Sequence, residues 1–285
     1  MKKLWVSLLS ACLGLGTLVA QDINTLMERA QKGDASSQNS LGLMYDNGQG
    51  VPQDYVQSMK WFRLAADQGF ANAQYNLAVM YDNGQGVPKD YVQAMKWYRL
   101  AADQGDADAQ WMLAVKYFSG KNGVPKDDAQ AAKWVRLAAD QGKASAQFML
   151  GLMYGNGQGV PKNYVQMRKW KRLAAEGGLA YAQFELGNAY AEGLGIPKDY
   201  VQAVKWYRLA ADQGDAKAQT NLGVMYANGQ GVPQDDVEAH MWFNLAAAQG
   251  DEDGKQGRDL VAGKMTPQQI ERAQELARNW KPKKQ

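Results

Sequence analysis

The sequence predicts an all-α fold, an α/α solenoid of stacked helix pairs, and three observations carry that prediction. A Val-Pro or Ile-Pro pair recurs with its proline at Pro52, Pro88, Pro125, Pro161, Pro197 and Pro233. A tryptophan follows each, at Trp61, Trp97, Trp134, Trp170, Trp206 and Trp242. A glutamine precedes each, at Gln38, Gln74, Gln110, Gln147, Gln183 and Gln219. The spacing is 36 residues, lengthened once by a single extra residue in "YFSGKNGVP". A unit of that length cannot bury its apolar face alone and stacks on its neighbours to make a continuous core.

Each unit splits into two amphipathic halves. In the first half of the second unit, Ala73, Leu77, Met80 and Tyr81 stand at i, i+4, i+7 and i+8, one face of a helix. In the second half, Ala94, Trp97 and Ala101 do the same. The second helix opens each time on Asp or Asn, with Gln or Glu three residues later: Asp54/Gln57, Asp90/Gln93, Asp127/Gln130, Asn163/Gln166, Asp199/Gln202 and Asp235/Glu238. That is a capping-box pattern. It stops at a glycine each time (Gly69, Gly105, Gly142, Gly177 or Gly178, Gly214, Gly250), a residue suited to the left-handed helix end. Small residues at Gly42, Ala78, Ala114, Gly151, Gly187 and Gly223 allow helices to approach closely.

The loop "YDNGQGVPQDY", residues 45–55, admits three readings: a phosphate cradle, a calcium loop or a turn. A phosphate cradle of the Gly-rich kind follows a strand, whereas this loop joins two helices. A calcium loop needs several carboxylates. The residue after the loop's tyrosine is Asp46 and Asp82, but then Phe118, Gly155, Ala191 and Ala227. The turn reading wins: glycines supply positive φ, and proline stops the first helix from continuing.

These positions, "AQxxLGxMY…NGxGVPxDYxxAxxWxxLAAxQG", resemble the Sel1-like repeat, a relative of the tetratricopeptide repeat, over about Asp34–Gly250. The resemblance implies right-handed α-superhelices that bind other proteins or peptides. "MWFNLAAAQGDEDGKQGRDLVAGKMTPQQIERAQELAR" also resembles the closing segment of exported bacterial members. The expected organisation is a leader at 1–20, a capping helix at 21–33 and six repeats at 34–69, 70–105, 106–142, 143–178, 179–214 and 215–250. Capping helices and a basic tail follow at 251–285. Among these, 251–264 reads as a weak helix interrupted by Gly254 and Gly257, and Thr266 caps a last one with Pro267 at its first position.

Composition narrows the function classes. Hydrophobic residues make up 46% and aromatics 10%, a globular composition rather than a disordered one. Met1–Ala20 has a short basic start, an apolar run and a small last residue, the pattern of a secretory signal peptide. Without Lys2 and Lys3 the 32 basic residues exceed the 29 acidic ones by a single charge, so nothing points to nucleic acid. "LSAC", Leu9–Cys12, resembles a lipobox, which makes a lipid anchor at Cys12 the alternative to free export into the periplasm or medium. Cys12 is the only cysteine, which excludes a disulfide framework and thiolate sites in the mature chain.

Catalytic and cofactor chemistry find little to use, and neither a cofactor nor a metal is expected. His240 is the only histidine and takes a position filled elsewhere by Met59, Met95, Ala132, Arg168 and Val204, which marks a tolerant packing or surface site. No Cys/His cluster can hold zinc, and Gly142-Lys143 lacks the earlier glycine of a phosphate loop, Leu137 standing there. Glu185 is the one mid-helix acid where other units carry Asn, Ser or Met. Cysteine-rich relatives of this superfamily are linked to antibiotic binding or hydrolysis. Their cysteines are absent here, so a hydrolase acting on cell-wall peptides or β-lactam-like ligands stands as the alternative to a non-catalytic scaffold.

Binding positions in a solenoid are those that vary between units. On a helical wheel Tyr75 falls opposite the Ala73–Leu77–Tyr81 face, and its counterparts are Trp111, Phe148 and Phe184. Beside them vary Asn76, Met112, Met149, Glu185 and Asn221. Together these nine form the candidate partner-binding groove. Two accounts stay open: an aromatic row lining a groove for a peptide, or rings that pack a helix held between two neighbours.

Overall fold

The computed structural model describes residues 23–283, and every regular element among them is helical. The expected leader and Cys12 lie outside the described residues. A first helix, α1, spans 23–31. The chain then divides into two compact units, Met1–Ala138 and Ala139–Gln285.

In the first unit, α2 (Ala35–Asn47) pairs with α3 (Tyr55–Asp67), and α4 (Ala71–Asn83) with α5 (Tyr91–Asp103). Next in the chain come α6 (Ala107–Ser119) and α7 (Asp128–Asp140), the latter running across the unit boundary. Successive pairs are joined because α3 packs on α4 and α5 on α6. In the second unit the pairs are α8 (Ala144–Asn156) with α9 (Tyr164–Glu176), α10 (Ala180–Glu192) with α11 (Tyr200–Asp212), and α12 (Ala216–Asn228) with α13 (Asp236–Ala248). Here α9 packs on α10 and α11 on α12, and α13 is covered by α14 (Glu252–Ala262) and α15 (Pro267–Asn279). Thr266 closes a complete capping box with Gln269 at the start of α15.

The loop between paired helices is a backbone device. Each first helix ends on a left-handed glycine, as Gly229 does with φ 65°. Two residues on, Gly231 (φ 73°) sits on the first turn of α11, where an added Cβ would stand 2.3 Å from the Tyr200 carbonyl oxygen. Gly86 meets the Tyr55 carbonyl of α3 in the same way in the first unit. These two loops therefore each end one helix and seat it on the preceding pair.

The caps differ from the capping box that the spacing predicts. Asp54, Asp90, Asn163, Asp199 and Asp235 do accept from the next two free backbone N–H groups of their helices. The return bond from Gln or Glu to the cap's own N–H is replaced. That N–H donates instead to the carbonyl of the tyrosine ending the first helix, Asp54 to Tyr45 at 2.9 Å and Asp235 to Tyr226 at 3.1 Å. One donor serves one acceptor here, so closing the loop displaces the second half of the box.

The core follows the two predicted faces. Ala73, Leu77, Ala94, Trp97 and Ala101 are buried, whereas Tyr81 is half-buried and accepts at its hydroxyl from Arg63 at 3.1 Å. The repeated glutamine is buried too. Gln74 donates to the Ala66 carbonyl at 3.2 Å, satisfying an orphan group at the end of α3, and Gln38, Gln110, Gln147, Gln183 and Gln219 repeat the bond. Five of the six repeated tryptophans are buried and Trp61 is half-buried, with Arg63 over Trp97, Arg99 over Trp134 and Arg208 over Trp242.

Candidate functional site

All nine candidate groove residues are half-buried, the exposure of side chains that have a packed side and an open one. In the first unit the Tyr75 ring packs on Tyr98 of its partner helix, centroids 5.9 Å apart. Asn76 donates to Asn39 of the preceding pair at 3.0 Å. Trp111 and Met112 are half-buried on α6. Beneath Tyr75, burial pushes the Tyr98 hydroxyl far above its ordinary range, and the nearby Asp82 carboxylate adds to the shift. Asp82 is held by Lys116 at 2.5 Å, both side chains 12% exposed. A phenol so disfavoured as an anion stays neutral and acts as packing.

In the second unit the candidates join residues that the sequence reading passed over. Phe148 meets Tyr181 edge-on at 5.3 Å, Tyr181 lies 6.5 Å from Phe184, and Phe184 lies 6.2 Å from Tyr207. Met149 is half-buried on α8 beside this run. Tyr207 donates to Asn188 at 2.7 Å, and Asn221 donates to the same oxygen at 3.1 Å. Burial pushes the Tyr207 hydroxyl up to about 12. Glu185 pairs with Lys171 at 2.8 Å, and the same ammonium lies 5.3 Å from the Phe148 ring. Glu185 in turn raises the Tyr181 hydroxyl.

The two open accounts thus share the row. Tyr75 and Phe184 pack on rings of their own partner helices, yet Tyr181 leaves half its surface open at the centre of its run. Tyr181 stands where other repeats carry Ser36, Asn72, Asp108, Ser145 and Lys217. Lys171 stands where they carry Phe62, Tyr98, Val135, Tyr207 and Phe243. Reading the repeats column by column would have marked both.

Beside the Lys171–Glu185 pair, α9, α10 and the turn after α10 enclose a cleft of about 410 Å³. Of the nine candidates only Glu185 lines it. Among the described residues no three His, Cys, Asp or Glu side chains stand close enough to hold a metal ion. No helix among them is long and apolar enough to cross a membrane. His240 is 2% exposed in α13, a packing site, and burial foremost, then the Arg258 charge, hold its imidazole below its ordinary value. The chemistry on offer is ring faces, amides and paired charges, which suits recognition of another molecule.

The family model of the Sel1 repeat matches six times, at 35–70, 71–106, 107–143, 144–179, 180–215 and 216–251. The chain belongs to the Sel1 repeat family. Among solved structures, a Sel1 repeat protein from Oxalobacter formigenes is 36% identical, with a TM-score of 0.70 over 80% of this chain and 99% of its own. A protective antigen of uropathogenic Escherichia coli, displaying an SLR fold, is 33% identical with a TM-score of 0.61. That match covers 90% of this chain, which spans 63% of the antigen's length. No curated protein matches. Sel1 repeat proteins are helical-repeat scaffolds for protein interaction.

Proposed function

We propose that this Sel1 repeat protein is a non-catalytic scaffold of the bacterial cell envelope that receives a partner protein or extended peptide on its aromatic face. One observation carries the reading: the run Phe148–Tyr181–Phe184, with Tyr181 half exposed and contacted by rings on both sides. Preorganised rings supply contact area at low entropic cost, which is why they dominate the centres of interfaces. The acid in this region, Glu185, is bound to a lysine and so is arranged as a structural pair rather than a proton donor. The envelope setting rests on the leader-like Met1–Ala20.

A photo-cross-linking residue placed at position 181 in cells, followed by identification and reconstitution of the cross-linked protein, tests the scaffold. Tyr181→Ala is expected to weaken the reconstituted complex at least tenfold without lowering the melting temperature. Catalytic turnover by the purified protein, with no protein cross-link from positions 75, 111, 148 or 181, would overturn it. Mass spectrometry of the mature N-terminus reads out the export route: cleavage after Ala20, or a lipid on Cys12. An intact Met1 would remove the envelope setting.

A further inference from the structure

One leucine breaks the packing rule of the repeats. Leu41, Leu77, Leu113, Leu150 and Leu222 are all 0% exposed, whereas their counterpart Leu186 is half-buried and lines the cleft. Three local departures uncover it. Ala189 stands where the other repeats have Met44, Met80, Lys116, Met153 and Met225, so a long side chain is missing from α10. On α9, Met167 stands where the others have Ser58, Ala94, Ala131, Ala203 and Ala239. Its sulfur leans over α8, 2.8 Å from where a Cβ on Gly155 would be, so it does not refill the volume vacated at Ala189. Lys171 replaces the ring or valine of the other repeats and turns to Glu185.

The space left is about 410 Å³, within the roughly 300–1,000 Å³ of ligand sites. Its floor is apolar, made by Leu186, Tyr190 and Ile196, and it opens at Leu194, which is 60% exposed. Its wall is net cationic, with Glu185 its one lining carboxylate. Arg168, Lys169, Lys171 and Arg172 come from one helix that has a single acid, Glu176. Arg168 fills a position that is apolar or histidine in the other repeats and extends along the turn at Gly195. Arg172 has left the stacking role of Arg63, Arg99 and Arg208 and pairs with Glu176 at 2.9 Å.

Resting on the scaffold reading, we propose that this cleft between α9 and α10 docks an extended acidic–apolar segment of a partner protein. The segment inserts one large apolar side chain over Leu186 and sets a flanking carboxylate against Arg168 and Arg172. Charge complementarity selects an anionic occupant. A half-open cleft of this size, with a charged wall, favours a peptide over a lipid surface, which would need a broad apolar face.

The test is selection of random 12-residue peptides on the full-length purified protein, followed by fluorescence anisotropy of the winners. Two variants are compared. Ala189→Met restores the methionine of the neighbouring repeats and adds bulk beside Leu186 to fill the cleft. Arg168→Gln with Arg172→Gln removes charge from exposed side chains only. The expected winners carry Asp or Glu within two residues of Leu, Ile, Met or Phe, and bind both variants at least tenfold more weakly. The filled variant should melt no lower than the parent. Winners without that pairing, or bound equally by both variants, overturn the cleft assignment and leave the scaffold reading standing. No peptide binder at all counts against both. Binding of phosphatidylglycerol vesicles that the same variants abolish, in the absence of peptide binding, overturns the assignment in favour of lipid.

Discussion

Gln213 donates its side-chain amide to the Gln183 oxygen across 2.8 Å, thirty residues back in the chain, on the first helix of the same pair in the second unit. Gln249 makes the same bond to Gln219 in that unit, and Gln68 and Gln104 make it to Gln38 and Gln74 in the other. The fourth repeat has Gly177 where the donor stands elsewhere, and the buried Gln147 oxygen is left without a partner. Gly177→Gln is therefore expected to stabilise the protein by about 1 kcal/mol, from the new hydrogen bond and from stiffening the unfolded chain. A Cβ there would lie 3.1 Å from the Ala144 methyl, a contact that asks for a small shift. Urea unfolding checks it, and a lower midpoint would show that the ladder cannot be completed at this site.

The seat of Gly231 on the Tyr200 carbonyl predicts a steep cost for any side chain. Gly231→Ala meets both a positive φ and a 2.3 Å backbone clash, and should destabilise by about 2–4 kcal/mol. Gly250 also has positive φ, 87°, but open space around it, so Gly250→Ala should cost only about 1–2 kcal/mol. Equal losses in thermal melts of the two variants would remove the claim that the loop glycine is a docking contact.

Uncovering Leu186 has an energetic signature. Leu222→Ala empties a fully buried site and should cost about 3–4 kcal/mol. Leu186→Ala removes a side chain already open to the cleft and should cost about 1–2 kcal/mol. Chemical denaturation of the two variants side by side measures the difference, and an equal cost would mean that Leu186 is as well covered as its counterparts.

His240 gives the protein a pH dependence of known sign. Its folded value is held below 6.5, so on acidification the unfolded chain takes up the proton first. The stability associated with this group is fully present above 6.5, falls as pH drops below it, and levels off below the folded value. Arg258 and Asp259 face the ring with opposing effects, and the arginine is the stronger of the two. His240→Val, which copies Val204 at the same repeat position, should flatten that slope between pH 7 and 5 in melting experiments. An unchanged slope would assign the acid sensitivity to other groups.

Much of the fold was legible because its determinants are local. Asp54 caps the helix that begins one residue later, and Gly48 ends the helix just before it. The faces holding Leu77 and Trp97 follow from helical period alone. The second half of the capping box was not legible, because the rival acceptor of the Asp54 N–H, the Tyr45 carbonyl, appears only once the loop has closed. Glu185 was visible as an exception in its column, but its partner was not, since Lys171 lies fourteen residues away on a different helix.

By itself, then, the sequence determined the helix pairs, their caps and turns, and the family they belong to, since each rests on period and on contacts within a few residues. The tertiary structure alone decided that Phe148 of α8 joins Tyr181 and Phe184 of α10 in one run, that Lys171 answers Glu185, and that Leu186 stands open. Those are contacts between helices, set by how side chains of unequal size fill the space between them. One missing methionine at Ala189 changes that filling without changing the period.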